Sequence, residues 1–207
     1  RPFTLLGENI VLFLDERGEP AALKDRCCHR TAKLSKGWCK GGNLQCGYHG
    51  WVYNRHGRVI EIPQYDAGRE IPKDYCTPAY GCVARHGYAW VALEEPEADI
   101  PAMPEFGAPG WRTIFQFHEV WHTSPLRALE NSFDNSHFSF VHRATFGVAA
   151  QPKPSKYEIV ENEQGFHAET VIDAANPERF QRISGVKEAI TQRHMRNAYM
   201  QPFSRRL

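Results

Sequence analysis

The first hundred residues alternate between short apolar runs and glycine-containing turns such as ERGE, CKGGN and NRHGR. Runs of this length, bounded by turn residues and rich in β-branched and aromatic side chains, are typical of strands. Seven strands are predicted, at 9–14, 20–25, 44–46, 51–53, 58–62, 79–84 and 88–93. Short strands at this spacing predict a small β-rich domain, built as a sandwich or a barrel.

This pattern stops at EEPEADIPAMPEFGAPG, residues 94–110, which contains four prolines, two glycines and five acidic residues. Such a composition cannot continue a strand or a helix, and it is typical of a segment between domains. We therefore expect a first domain at 1–100 and a second at 101–207.

The second domain mixes strand and helix patterns. Ser124 is a suitable helix N-cap, and Pro125 fits the first helical turn. The predicted elements are a strand at 112–120, a helix at 124–142 and a hairpin with strands at 156–162 and 165–172. From residue 173 onward the pattern is too weak to assign. The expected fold class is α+β, a β-rich domain followed by part of an α+β domain with an antiparallel sheet.

Composition restricts the function to local sites. The formal net charge is +1, so no global field recruits nucleic acid or an anionic membrane. No apolar run approaches the length needed to span a bilayer, since NIVLFL and YAWVAL have the length of strands. The chain begins at Arg1 and ends on the basic segment PFSRRL, so we expect it to be part of a longer protein.

Two short loops carry the strongest chemical signal. CCHR provides Cys27 and His29, and CGYHGW provides Cys46 and His49, with sixteen residues between His29 and Cys46. Two thiolates and two imidazoles bind only a limited set of metals. A structural zinc ion is one candidate, although zinc sites usually pair Cys with Cys and His with His along the chain. The mixed usage in each loop favours a [2Fe–2S] cluster with two Cys and two His ligands.

The two loops resemble the Rieske family in their C-x-H-x16-C-x-x-H spacing, with Arg30 after the first His and Gly50–Trp51 after the second. The resemblance implies that the two cysteines bind one iron and the two histidines the other. The oxygenase branch is indicated because Tyr48 occupies the place where the electron-transport branch has a second cysteine. The remaining cysteines have no such partner, and we expect a free, packed thiol at Cys28 and core thiols at Cys39, Cys76 and Cys82.

A second candidate site lies in LENSFDNSHFSFVH, residues 129–142. On a straight helix, Asn131, Asp134 and His137 share one face through their i, i+3 spacing. His142 follows His137 by five residues, which places it about 140° further around the axis. One metal ion could bind both histidines only if the helix is distorted or ends between them.

This segment, placed after a Rieske motif, resembles the catalytic α subunit of the Rieske non-haem iron oxygenases. The resemblance implies that His137 and His142 bind a mononuclear Fe(II) together with a distant carboxylate. It also implies that Asp134 bridges this iron to the cluster of a neighbouring subunit, and that Asn131 lies beside the iron. The family's third ligand comes far downstream. Asp173 lies too early for that pattern, so we expect the third ligand outside these 207 residues.

The implied activity is hydroxylation or oxidative demethylation of a small organic substrate with O₂. The chain has no G-x-G-x-x-G fingerprint, so the electrons are expected from a separate NAD(P)H-dependent reductase or a ferredoxin. A homotrimer is implied, and a cytoplasmic location is expected, with a plastid as the alternative. The competing functions are an aromatic-ring dihydroxylating dioxygenase, a Rieske ferredoxin that only carries electrons, and a zinc-stabilised binding module.

Overall fold

A computed structural model describes residues 1–114, 119–200 and 204–206. The chain forms two compact units, Arg1–Arg112 and Thr113–Leu207. In the described part of the chain, no helix is long and apolar enough to cross a membrane.

The first unit consists of two antiparallel sheets. Its strands are β1 (Pro2–Leu5), β2 (Glu8–Leu14), β3 (Pro20–Lys24), β4 (Trp38–Lys40), β5 (Asn43–Gln45), β6 (Val52–Tyr53), β7 (Val59–Glu61), β8 (Ala79–Arg85) and β9 (Tyr88–Ala92). The larger sheet has the order β1-β2-β3-β8-β9, and the smaller has the order β4-β5-β6-β7. A short 3₁₀ turn at Leu34–Lys36 precedes β4. The β-rich fold expected for this part of the chain is therefore confirmed.

One apolar core fills the first unit. Leu23, Leu34 and Tyr53 are fully buried in it. Cys27 and Cys46 belong to the same cluster of buried residues, although neither lies within a strand. The loops that carry them are consequently anchored in the core of the unit.

All seven predicted strands of the first unit are confirmed to within one residue at either end. The sequence did not predict β1 and β4. Both are edge strands, and β4 is exposed along its whole length. An exposed edge strand has no buried face, so its sequence need not alternate between apolar and polar residues.

In its described residues, the second unit contains a four-stranded antiparallel sheet and three short helices. Its elements are α1 (Pro125–Phe133), α2 (Phe138–Val141), β10 (Glu158–Asn162), β11 (Gly165–Ala175), α3 (Glu178–Ser184), β12 (Ile190–Met200) and β13 (Ser204–Arg206). The sheet order is β10-β11-β12-β13, with Asn162 opposite Gly165 at the first turn. The predicted hairpin and the antiparallel sheet are confirmed. The strand predicted at 112–120 is centred on residues 115–118, which lie outside the described residues, and the described residues on either side of them are not in a strand.

The single helix predicted at 124–142 is wrong, because the structure divides it into α1 and α2. Its start is confirmed, since the Ser124 side chain accepts a hydrogen bond from the Arg127 amide at 3.3 Å. The first helix ends at Phe133, and Asp134 adopts an extended C-cap conformation with φ −81° and ψ 120°. The run Asp134–Asn135–Ser136 consists of residues that favour turns over helix interiors, which explains the break.

Replacing Gly57 with alanine is expected to destabilise the first unit. Gly57 has φ +74°, and an added Cβ would overlap the carbonyl oxygen of Thr77. The left-handed conformation alone costs about 1–2 kcal/mol for a residue with a Cβ, and the overlap adds to this. Gly18→Ala is the matched control, since Gly18 has φ +77° but open space around it. Urea unfolding should show a larger loss for Gly57→Ala than for Gly18→Ala, and equal losses would contradict the overlap.

Candidate metal centres

The two motif loops have the same backbone geometry. In the first, the Cys27 amide donates to the Ala32 carbonyl at 2.8 Å, and the Thr31 amide donates back to Cys27 at 3.0 Å. In the second, the Cys46 amide donates to the Trp51 carbonyl at 2.8 Å, and the Gly50 amide donates back to Cys46 at 3.0 Å. The two loops are therefore alike, although their histidines follow the cysteines at different spacings.

The fourth residue after each cysteine has a left-handed backbone. Gly50 has φ +77° and Thr31 has φ +58°. Glycine adopts this conformation readily, whereas a β-branched residue adopts it rarely and at a cost in energy. Such strained residues often lie at functional sites, because the surrounding structure must hold them in place. The left-handed backbone of Thr31 therefore indicates, in addition to the Cys and His spacing, that the first loop is a functional site.

The four candidate ligands are grouped by type rather than by loop. Cys27 and Cys46 are 3% and 1% exposed, and they lie close enough to form a side-chain hydrogen bond. His29 and His49 lie towards the surface, with their ring centroids 4.7 Å apart. A Rieske cluster needs one pair of sulfur ligands and one pair of nitrogen ligands, each for a separate iron. The donor set and its grouping therefore fit a [2Fe–2S] cluster.

The protonation of these groups also suits a metal. The pKa of His29 is lowered mainly by loss of hydration. The positive charges of His49 and Arg30 lower it further. The neutral imidazole is the form that binds a metal. Burial raises the pKa of the Cys46 thiol, and the nearby Cys27 adds to this effect. A bound cation reverses that preference, because ligating thiols are deprotonated.

A stack of aromatic rings fixes the first histidine. The His29 ring lies parallel to the Trp51 ring at 2°, with the centroids 4.5 Å apart. Trp51 also stacks on Tyr75, with the centroids 5.1 Å apart and an interplanar angle of 19°. Trp51 is only 7% exposed, so the stack joins an exposed imidazole to the core. Sequence reasoning missed Tyr75, since it lies outside both motifs.

Tyr53 is a buried neighbour of the first loop that the sequence analysis did not select. Its hydroxyl lies 3.0 Å from the Cys27 sulfur and 3.2 Å from the Cys28 sulfur, and it accepts a hydrogen bond from the Cys28 amide at 3.1 Å. Burial is the main cause that raises the pKa of Tyr53, and the hydrogen bonds to Cys27 and Cys28 raise it further. The hydroxyl therefore remains protonated. Its place in a predicted buried strand was the available signal. The hydroxyl can donate a hydrogen bond to a cluster sulfur.

The other cysteines differ from expectation. All six are free thiols, but Cys28, Cys39 and Cys76 are exposed, and Cys82 is half-buried. The expected packing of Cys28 and the expected core positions of Cys39 and Cys76 are therefore wrong. Partial burial raises the pKa of the Cys28 thiol, and the nearby Cys27 and Cys76 raise it further. The hydrogen bond with Tyr53 acts in the opposite direction and lowers this pKa.

The second candidate centre lies at the two ends of α2. His137 precedes the helix and His142 follows it, and their ring centroids are 5.2 Å apart. The helix ends at Val141, between the two histidines, as the sequence analysis required for one metal ion to bind both. Phe146 stacks on His142 at 4.7 Å and 21°, which fixes the second ring. The two imidazoles therefore lie close together at opposite ends of a single helical turn.

Asp134 orients the first of these histidines. Its carboxylate lies 3.1 Å from His137 Nδ1 and also bonds the Ser136 hydroxyl and amide. Hydrogen bonds lower the pKa of Asp134 to about 2. The largest effect comes from the Ser136 hydroxyl, and His137 and the Ser136 amide add to it. The carboxylate is therefore ionised at neutral pH. A carboxylate on one ring nitrogen directs the other, here Nε2, towards a metal.

The structure does not bring all the predicted residues together. Asn131 is exposed in α1, and in the described residues no side-chain hydrogen bond joins it to Asp134 or to either histidine of this centre. The helical face that Asn131 was expected to share with Asp134 and His137 does not exist, because α1 ends at Phe133. Asp173 accepts a hydrogen bond from Gln151 at 3.1 Å. Within the described ranges, no three His, Cys, Asp or Glu side chains surround a point where a single ion could bind.

Residues 1–80 match the Rieske [2Fe-2S] domain family, and residues 121–207 match the family described as the vanillate O-demethylase oxygenase C-terminal domain. The chain therefore belongs to the Rieske oxygenases. These matches confirm the expected family, its α+β fold class and its two iron cofactors, the [2Fe–2S] cluster and the mononuclear iron.

Several relatives share both parts of the chain. A putative toluene-4-sulfonate monooxygenase iron-sulfur subunit, TsaM2 of Comamonas testosteroni, is 37% identical over 157 residues, 73% of this chain and 44% of the relative. Methylxanthine N1-demethylase NdmA of Pseudomonas putida is 38% identical over 144 residues, 68% of this chain and 40% of the relative. The structure of NdmA with caffeine aligns with a TM-score of 0.79 at 28% identity, covering 99% of this chain and 57% of NdmA.

A relative from a plant is also similar. The chloroplastic protein TIC 55 of Arabidopsis thaliana is 34% identical over 171 residues, 79% of this chain and 31% of the relative. The chain thus spans less than half the length of these curated relatives.

Proposed function

We propose that the protein is the catalytic subunit of a Rieske oxygenase that hydroxylates or oxidatively demethylates a small organic substrate. This proposal rests on one observation, the presence of two separate pairs of histidines. One histidine pair lies on the Rieske loops, and the other flanks α2 in the second unit. An electron carrier would need only the first pair, so the second pair supports catalysis. We assign the Rieske domain to 1–100 and the first part of the catalytic domain to 101–207.

We assign the cluster to Cys27, His29, Cys46 and His49, and the mononuclear iron to His137, His142 and a carboxylate outside the chain. When bound, the cluster supplies single electrons, and the iron supplies open coordination positions for O₂. The chain's own residues prepare these sites. Tyr53 donates a hydrogen bond towards a cluster sulfur, and the ring stack holds His29. At the iron site, Asp134 holds the His137 ring in place.

The proposed partners follow from the family. Electrons come from a separate NAD(P)H-dependent reductase or a ferredoxin. In a homotrimer, Asp134 would connect the iron to the cluster of a neighbouring subunit. The ionised state of Asp134 supports this role, because a carboxylate can accept hydrogen bonds from histidines on two sides. Asn131 is proposed to lie beside the iron in the complete protein. The proposed location is the cytoplasm, with a plastid as the alternative because of the chloroplastic relative.

Demethylation of an aromatic substrate is the preferred reaction within this class. The second unit matches a vanillate O-demethylase domain, and NdmA is a methylxanthine demethylase. In such a reaction a methyl group attached to oxygen or nitrogen is hydroxylated, and it then leaves as formaldehyde.

Metal analysis and electron paramagnetic resonance (EPR) of the full-length protein test this proposal. The dithionite-reduced protein should contain iron and acid-labile sulfide and give a Rieske-type signal. With a reductase, O₂ and a set of O- and N-methylated aromatic compounds, it should release formaldehyde. A protein that contains zinc alone and gives no Rieske-type signal would exclude the assignment. A protein with the cluster signal but without turnover of any organic substrate would favour an electron carrier.

A further inference from the structure

Two exposed thiols share a cavity beside the first cluster loop. Cys28 and Cys76 both line this cavity, which has a volume of about 310 Å³. The sequence offered Cys28 no partner in the CGYHGW loop, where Tyr48 occupies the corresponding place. The structure supplies one from the segment that leads into β8.

The backbone holds the two segments side by side. Strands β3 and β8 pair antiparallel with Leu23 opposite Ala79. Beyond the end of this ladder, the Lys24 amide donates to the Pro78 carbonyl at 2.8 Å. One step further, the buried Thr77 hydroxyl donates to the Arg26 carbonyl at 2.8 Å. The chain around Cys28 is therefore fixed next to the chain around Cys76.

Two basic residues, Lys24 and Arg26, line the cavity together with the two thiols. Glu8 lies 3.1 Å from the Lys24 ammonium, whereas Arg26 is exposed. Positive charge at the cavity attracts anionic reagents. Oxidised glutathione, a disulfide that carries carboxylates, has the matching chemistry.

The same thiol is connected to the cluster ligand through Tyr53. The Tyr53 hydroxyl lies within hydrogen-bond distance of the sulfurs of both Cys27 and Cys28. It has a single proton to donate. When Cys27 binds iron as a thiolate, it is the stronger acceptor, so Tyr53 donates to Cys27 and the Cys28 thiol donates to Tyr53. A hydroxyl that accepts a hydrogen bond is a better donor in turn.

We propose that Cys28 and Cys76 form a redox-active dithiol that closes to a disulfide and thereby regulates the cluster. One thiolate attacks a sulfur of the disulfide oxidant, which forms a mixed disulfide and releases one thiol. The second cysteine then attacks the protein sulfur of this mixed disulfide and releases the second thiol. The protein loses two hydrogens, which the two released thiols carry. The part of the proposal that concerns the cluster rests on the proposed function.

Closure of the disulfide lowers the reduction potential of the cluster. The disulfide has no S–H group, so Tyr53 loses the hydrogen bond that strengthens its own donation to Cys27. Hydrogen bonds to cluster sulfurs stabilise the reduced state, and weaker bonds lower the potential. Oxidising conditions would therefore make the cluster harder to reduce and slow the supply of electrons to the oxygenase.

The test uses the full-length protein with its cluster, treated with oxidised glutathione. After free thiols are alkylated, non-reducing peptide mapping should show one peptide that links Cys28 to Cys76. The reduction potential should shift to a lower value and return with dithiothreitol. Cys76→Ser should lack both the link and the shift. Cys39→Ser removes another exposed thiol and should retain both. Tyr53→Phe should form the link without the shift.

Other outcomes would overturn the proposal. Mixed disulfides with glutathione alone would exclude the dithiol, and an unchanged potential in the linked protein would exclude the connection through Tyr53. A link to Cys27 with loss of the EPR signal would show damage to the cluster instead. Peptide mapping requires no turnover, so an inactive protein that forms the link would reject the proposed function alone. An active oxygenase that forms no link would reject only this proposal.

Discussion

Replacing His137 with alanine is expected to abolish product formation in the full-length protein while leaving the EPR signal of the cluster at wild-type intensity. His137 and His142 are the two imidazoles that flank α2, with their ring centroids 5.2 Å apart. Loss of one leaves the iron with too few protein ligands to remain bound. The cluster lies on other loops, in a unit with its own core, so its ligands are unaffected. Iron content, the EPR signal and formaldehyde release measure the separate effects.

His194→Ala is a matched control for this substitution. His194 is an exposed histidine in β12 of the same unit. Its replacement should leave iron content and turnover near the wild-type values. If His137→Ala retained full turnover, the mononuclear site would have to lie elsewhere. If it lost the cluster signal, the assignment of two separate metal centres would be wrong.

Replacing Cys46 with serine is expected to remove the cluster and, with it, all turnover that depends on the electron donor. Cys46 is 1% exposed and lies beside Cys27, so no other residue can take its place without repacking the core. A serine hydroxyl is a poor ligand for the iron of such a cluster, which requires thiolates. The visible absorption, the EPR signal and the acid-labile sulfide should all disappear.

The matched control is Cys82→Ser, which changes a half-buried thiol in β8 of the same unit. This variant should retain the cluster and its signal. Circular dichroism separates loss of the cluster from loss of the fold, since Cys46→Ser should keep its strand content if only the ligand is missing. A Cys46→Ser protein with an intact Rieske-type signal would show that Cys46 is not a ligand.

Local patterns in the sequence were sufficient for much of the fold. Strands such as β2 and β8 have an inward face and end at turn residues, so the pattern gives them within one residue. The spacing of the CCHR and CGYHGW loops was also sufficient to select the ligand candidates. Their assignment as ligands stays a prediction.

The sequence could not predict features that depend on tertiary contacts. Strand β12 has a polar sequence without regular alternation, ITQRHMRNAYM, and it pairs with β11 and β13. The stacking of Tyr75 on Trp51 joins residues from separate segments, and so does the approach of Cys76 to Cys28. The break before α2 did have a local signal in Asp134–Asn135–Ser136. The apolar pattern over 124–142 favours one continuous helix and obscures this local signal.

The stack of Tyr75, Trp51 and His29 also has a consequence for the rate of electron transfer. A metal site changes its bond lengths and angles when its charge changes, and the energy of this change, the reorganisation energy, slows the transfer. An imidazole clamped against a buried indole has little freedom to rotate or to draw in water. The aromatic stack thus lets a ligand at the surface behave as rigidly as one in the core, and a cluster held in this way would exchange electrons at a low reorganisation energy.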